Sequence, residues 1–200
     1  MNIRQLLQQP QIWRGRDDSL SPRQPRLPTG WEPLDTRLGG WIPGALTEIL
    51  TPTPGCGELT LLAPALKRLT HDNQRLIGIA PPETLYPPAL QQRDIPVDRV
   101  ILIEAAPRDA LWAAEQCLRS GACGAVLCWP DPVSDRQLRR LQLAAEQGRC
   151  HGFVFRPARV AQKPSPAATR ILFDVAGQVE VIKCRGGFSD CRFHLDSPAH

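Results

Sequence analysis

The stretch Thr51 to Thr60, TPTPGCGELT, carries the residues most suggestive of chemistry in this chain. An apolar run, Ala45 to Leu50, precedes its glycines, and a segment of helical period follows. Strand, glycine turn and helix form the setting in which backbone N–H groups cradle phosphate at a helix N-terminus. A nucleotide loop of the pattern G-x-x-x-x-G-K-[ST] adds a lysine for the outer phosphates and a hydroxyl for Mg²⁺. With Gly57 as the second glycine, Glu58 stands at the lysine position and Leu59 at the hydroxyl position. Pro52 stands where the first glycine belongs. A carboxylate facing polyphosphate is repulsive, and proline removes an N–H from the cradle. Gly55, Gly57, Glu58 and Leu59 therefore read as a degenerate phosphate loop. Glu58 suits the first turn of a helix, where the dipole favours negative charge.

Two other groups of residues could act through binding. Near the N-terminus, Leu6, Leu7, Ile12, Trp13 and Arg14 form an apolar peptide that docks either on its own domain or on a partner; Trp and Arg are frequent anchors. Near the C-terminus, Lys183, Arg185 and Arg192 interleave with Phe188 and Phe193, the pairing of cations and rings that contacts single-stranded DNA. Arg136, Arg139, Arg140 and Arg149 lie on one helical segment, most simply a solvated face. The seven cysteines contain no C-x-x-C pair, so no zinc or redox site is expected; they read as reduced core residues.

The elements that must hold these residues follow from periodicity. Apolar runs at 45–50, 75–80, 98–105, 124–129 and 151–157 predict strands. Helical periods cover 57–72, 86–95, 108–123 and 134–148. Pro64 is a kink candidate in the first of these, and Ser134 and Gly148 serve as cap and stop of the last. Residues 170–187 predict a hairpin turning at Ala176-Gly177. Strands alternating with helices imply an α/β fold, a mostly parallel sheet flanked by helices with a C-terminal β-hairpin. The expected organisation is an interaction segment at 1–14, a Pro- and Ser-rich linker at 15–30, one domain at 31–187 and a tail at 188–200.

Bulk properties exclude little. The chain has 200 residues, 24 Lys+Arg against 20 Asp+Glu and a net charge of +4, which does not by itself imply nucleic acid. No signal peptide and no membrane span are expected.

Several segments resemble known proteins. LPTGWEPLDTRLGGWIPGALTEIL (27–50) resembles the opening of RecA-type folds. QIWRG (11–15), GELTLLAPAL (57–66), IAPPETLYPPAL (79–90), DALWAAEQCLRSGACGAVLCW (109–129), GFVFRP (152–157) and VIKCRGG (181–187) extend the similarity to the ImuA family, RecA-like proteins of bacterial mutagenesis cassettes. The middle part, about 57 to 157, also resembles SulA, the cell-division inhibitor that binds FtsZ. The ImuA resemblance implies a RecA-like sheet without chemistry. Glu58 and Leu59 replace the phosphate-binding pair, Glu83 stands one residue off the catalytic position, and Asp131 lies beyond the end of its strand. It implies no enzyme activity, no cofactor and no metal. It implies a cytoplasmic accessory protein of SOS-induced translesion synthesis, nucleoid-associated when DNA is damaged, with an ImuB-type polymerase homologue, RecA and single-stranded DNA as partners. The SulA resemblance implies the alternative, a division inhibitor binding FtsZ.

Overall fold

The computed structural model describes residues 25–55, 57–82, 86–186 and 191–195. Its elements are α1 (Glu32–Leu38), β1 (Leu46–Thr51), α2 (Glu58–His71), β2 (Leu76–Ile79), α3 (Pro87–Gln92), β3 (Val100–Ile103), α4 (Pro107–Ser120) and β4 (Ala125–Cys128). They continue as α5 (Asp135–Gly148), β5 (His151–Pro157), β6 (Thr169–Phe173), β7 (Gln178–Cys184) and β8 (Cys191–His194).

The strands form one eight-stranded sheet in the order β3-β2-β4-β5-β1-β6-β7-β8. The six strands from β3 to β6 in that order pair in parallel, and β7 and β8 add antiparallel. The sheet is therefore mixed. Two apolar clusters lie on it. One gathers Leu34, Leu38, Leu61, Leu62 and Leu66 from α1 and α2, and the other Ala114, Leu118, Leu138, Leu141 and Ala145 from α4 and α5. Strands covered on both faces carry unbroken apolar runs, which is why AVLC of β4 is buried at every position.

Local chemistry sets the helix ends. Ser134 and Gln137 form a reciprocal capping box at the head of α5. Gly121, at φ 65, closes α4 in the left-handed region. At the end of α5 the left-handed residue is Arg149 (φ 53) rather than the expected Gly148, which remains helical.

Two elements differ from expectation. Helix α1 arises within 27–50, where the Asp35 carboxylate accepts from the Thr29 and Gly30 backbone N–H groups at 2.7 and 3.2 Å. Trp31 is buried and donates its indole N–H to the Leu61 carbonyl at 2.9 Å. Gly30 (φ 84) lies against Pro64, and a Cβ there would come within 2.2 Å of the proline Cβ. Pro64 thus serves as a packing surface inside a helix assigned continuously from Glu58 to His71. Within the expected linker, Leu27 bridges to Trp41 and Thr29 is fully buried. Within the expected tail, Cys191–His194 form β8.

The sheet also holds a charge cluster that periodicity did not show. Glu48 of β1 is fully buried and accepts from Arg156 of β5 at 2.5 Å and from Arg170 of β6 at 2.6 Å. Arg170 also donates to the Val160, Ala161 and Lys163 carbonyls. One carboxylate oxygen for each guanidinium, together with backbone carbonyl acceptors, offsets the desolvation of the buried charges.

Candidate functional site

The C-terminal ends of parallel strands are where open α/β sheets bind ligands. Here that position, after β1, is occupied by the chain itself. Gly57 (φ 94) turns the backbone into α2, and the Glu58 carboxylate folds back beneath the turn, only 4% exposed. Its Oε1 accepts from the Gly55 N–H at 3.0 Å and from the Trp129 indole N–H at 3.4 Å. The loop is thus closed by an internal carboxylate that takes up an N–H which a phosphate cradle would present. Leu59, the residue at the Mg²⁺-ligand position, packs against the apolar cluster.

Beside this turn lies a cleft of about 220 Å³, walled by Leu59, Pro82, Tyr86, Leu90 and Trp129. Trp129 stacks on Phe155 with ring centroids 4.5 Å apart. One cation, Arg93, reaches the wall, and it is engaged by Thr60 Oγ1 and the Ala89 carbonyl. The cleft is largely apolar and lacks a lysine or hydroxyl at the phosphate-binding positions.

Exposed apolar groups also lie at the edge of the sheet. Strand β3 is the outermost strand on its side and pairs only with β2 among the described residues. Ile101 and Leu102 on it are each 39% exposed, and Tyr86 at the head of α3 is exposed as well. In sequence the 98–105 run reads as a strand and Tyr86 as the start of the 86–95 helical segment. An apolar run looks the same at the centre and at the edge of a sheet, so no signal in it marks the edge.

Other expected site residues are placed as follows. Leu6, Leu7, Ile12, Trp13, Arg14 and Glu83 lie outside the described residues. Lys183 is on β7 and donates to the Ser165 carbonyl at 2.8 Å, and burial lowers its pKa. Arg185 pairs with Glu146 at 3.3 Å and Arg192 of β8 with Glu180 at 3.0 Å. Lys183 thus has a partner within the sheet region, whereas Arg185 and Arg192 make surface ion pairs with side chains 51% and 76% exposed. Asp131 pairs with Arg159 at 2.8 Å. Trp112 of α4 is 63% exposed. Glu115 on that helix is buried, held by Arg119 and Arg140, each at 2.5 Å. Among the described residues no group of His, Cys, Asp and Glu could hold a metal ion, and no helix is long and apolar enough to cross a membrane.

A mixed sheet with a self-closed turn and an open apolar margin defines an α/β protein whose accessible features are surfaces. Residues 44–152, more than half of the chain, match the family described as "Cell division inhibitor SulA", and the chain belongs to that family. It is 33% identical over 117 residues to a cell division inhibitor SulA of Serratia marcescens, covering 58% of this chain and 70% of that protein. It is 34% identical over 99 residues to one from Pectobacterium carotovorum subsp. carotovorum (strain PC1), covering 48% of this chain and 59% of the relative's length. A crystal structure of SulA from Pseudomonas aeruginosa aligns with a TM-score of 0.47 at 30% identity, over 56% of this chain and 97% of that one.

Membership of this family corrects the expectation of an ImuA-type protein. The fold is a SulA-type mixed sheet with helices, not a RecA-like parallel sheet bearing a phosphate loop. The translesion role, its description as a pseudo-ATPase and DNA binder, and the ImuB-type, RecA and single-stranded DNA partners lose their basis with that resemblance. GELTLLAPAL and the long 109–129 stretch lie inside the matched residues, whereas 27–43, the part that resembles RecA-type openings, lies outside them.

Proposed function

We propose that this chain inhibits cell division by binding FtsZ in the cytoplasm, as a stoichiometric partner and not as an enzyme. The observation that carries the reading is the match of residues 44–152 to the SulA family, a span that includes β1 to β4, α2 to α5 and the start of β5. The margin formed by β3 is the surface best suited to the partner, and Ile101 and Leu102 supply exposed apolar contacts there. The outer edge of β3 offers backbone donors and acceptors of the kind used in strand addition. Exposed apolar side chains beside an open edge are costly to leave in water unless a partner covers them.

The test uses purified full-length chain with FtsZ. Sedimentation of GTP-assembled FtsZ should fall in proportion to added chain, with the endpoint near a fixed molar ratio. Overproduction in cells should give filaments without septa. Unchanged polymer mass at molar excess, together with normal cell length, would exclude the reading. Titration with ATP·Mg²⁺ in a calorimeter is expected to release no heat, because Glu58 closes the loop from within.

A further inference from the structure

Two glycines bring the ends of α4 and α5 into backbone contact. A Cβ on Gly148 would lie 1.9 Å from the Leu118 carbonyl oxygen and 3.0 Å from the Gly121 nitrogen. A Cβ on Gly121 would lie 2.9 Å from the Gly148 carbonyl oxygen. Each chain then runs two residues further to a cysteine, Cys123 before β4 and Cys150 before β5. The strands they lead into are paired, Ala125 with His151, and the His151 N–H donates to the Gly124 carbonyl at 3.0 Å. The two sulfurs consequently lie 3.5 Å apart, in contact as donor and acceptor.

We infer that Cys123 and Cys150 form an oxidisable dithiol, a modification site that closes to an intramolecular disulfide when a hydroperoxide reaches it. Closure needs the sulfurs to approach by about 1.5 Å to disulfide length, a movement within reach of side-chain rotation. The hydrogen bond from Cys150 lowers the Cys123 pKa, and donating that bond raises the pKa of Cys150. Cys123 is therefore the more acidic sulfur of the pair and the one better placed to supply the nucleophilic thiolate. Both cysteines are buried, but Cys123 is 8% exposed against 0% for Cys150 and directly follows the exposed pair Gly121-Ala122, so it is the sulfur nearer to solvent.

The chemistry balances in two steps. The Cys123 thiolate attacks the peroxide O–O bond. An S–O bond forms, the O–O bond breaks, and the departing hydroxide or alkoxide takes up a proton. The Cys150 sulfur then attacks the Cys123 sulfenic sulfur. The S–S bond forms, the S–O bond breaks, and the departing hydroxide leaves as water with the Cys150 proton. Two thiols are oxidised and one peroxide is reduced. Two other described thiols, Cys117 and Cys128, are less suited. Cys128 is buried and pushed up to about 12, and burial raises Cys117.

The full-length chain should be treated with hydrogen peroxide and mapped by mass spectrometry without reduction. The expected product is a peptide pair linked between Cys123 and Cys150, lighter by two hydrogens and reversed by dithiothreitol. In Cys150→Ser, Cys123 should stop at a sulfenic acid that dimedone traps; in Cys123→Ser, Cys150 should stay a free thiol. Because the mapping is done on the unaltered chain, poor folding of either variant does not remove the test. A Cys117–Cys123 or Cys184–Cys191 link as the main product, or a Cys123–Cys150 pair still reduced after Cys184 and Cys191 are oxidised, would overturn the assignment.

Discussion

Charging the open sheet margin should separate binding from folding. Ile101 and Leu102 are each 39% exposed, so roughly two fifths of each side chain is free for a partner. Full burial of such a side chain is worth about 1.5–3 kcal/mol. The exposed part of each therefore offers about 0.6–1.2 kcal/mol, and the pair about 1–2 kcal/mol. The double change Ile101→Lys, Leu102→Lys removes that term and places two ammonium groups in the contact, a further cost of about 2 kcal/mol. Affinity for FtsZ should fall by about 100-fold or more. The fold loses part of the already buried area, at most about 2–4 kcal/mol, which lysine stems partly restore. A domain with about 5–15 kcal/mol of stability remains folded. Calorimetric titration against FtsZ gives the affinity, and a circular-dichroism melt confirms the fold. Val175→Lys is the control: Val175 is 74% exposed but sits on the β6–β7 turn in the other half of the sheet. A folded double variant that binds FtsZ within about twofold of the parent, by the same arithmetic, refutes the assignment of the margin. Equal loss in Val175→Lys refutes its specificity.

Three further outcomes follow from the interior. Glu48→Gln leaves Arg156 and Arg170 buried without their counter-charge and should cost about 3–5 kcal/mol in urea unfolding; a loss below about 1 kcal/mol would show that the carbonyl partners suffice. His151 is held down to about 4 by burial, against a hydrogen bond with the Ile42 backbone that favours the charged form. Its native pKa lies below the unfolded value of 6.5, so its contribution is complete above pH 6.5 and is lost as pH falls towards 4. That is about 3 kcal/mol across the window. Replacing it by glutamine should flatten the wild-type stability slope between pH 7 and 5, and an unchanged slope would assign the dependence elsewhere. Ser134→Ala removes the acceptor of the α5 capping box and should cost about 1 kcal/mol by denaturant titration; no loss would mean that solvent replaces the cap.

What was legible in the sequence follows what the fold buries. The predicted strand spans at 45–50, 75–80, 124–129 and 151–157 each overlap an observed strand, because strands covered on both faces must be apolar throughout. The helix at 134–148 was legible because Ser134 supplies a cap that a local pattern can contain. Helix α1 was not, since its start depends on Asp35 reaching back to Thr29 and Gly30 and on Trp31 reaching Leu61. Strand β8, Cys-Arg-Phe-His, is too short to display a period and gains its partners from β7. At the turn after β1, the replacement of lysine by Glu58 could be read directly. The carboxylate's engagement of Gly55 and Trp129 could not, because residues 58 and 129 meet only through the order of strands. The same holds for Cys123 and Cys150, which lack C-x-x-C spacing yet lie in contact.

These placements bear on why the end of the sheet is not a nucleotide site. A phosphate site needs free N–H groups and an uncommitted cation at the strand ends. Here the Gly55 N–H is taken by Glu58, Arg156 by Glu48 and Arg93 by Thr60 and Ala89. Restoring a single lysine at position 58 would not recreate the site. It would remove the acceptor for Gly55 and Trp129, and it would leave leucine where the Mg²⁺ ligand belongs. Glu58 Oε1 ties the turn together, whereas Ile101 and Leu102 remain partly open to solvent at the sheet edge and Tyr86 at the cleft. Committed polar groups at the strand ends and open apolar side chains at the edge fit the proposed protein partner better than a phosphate ligand.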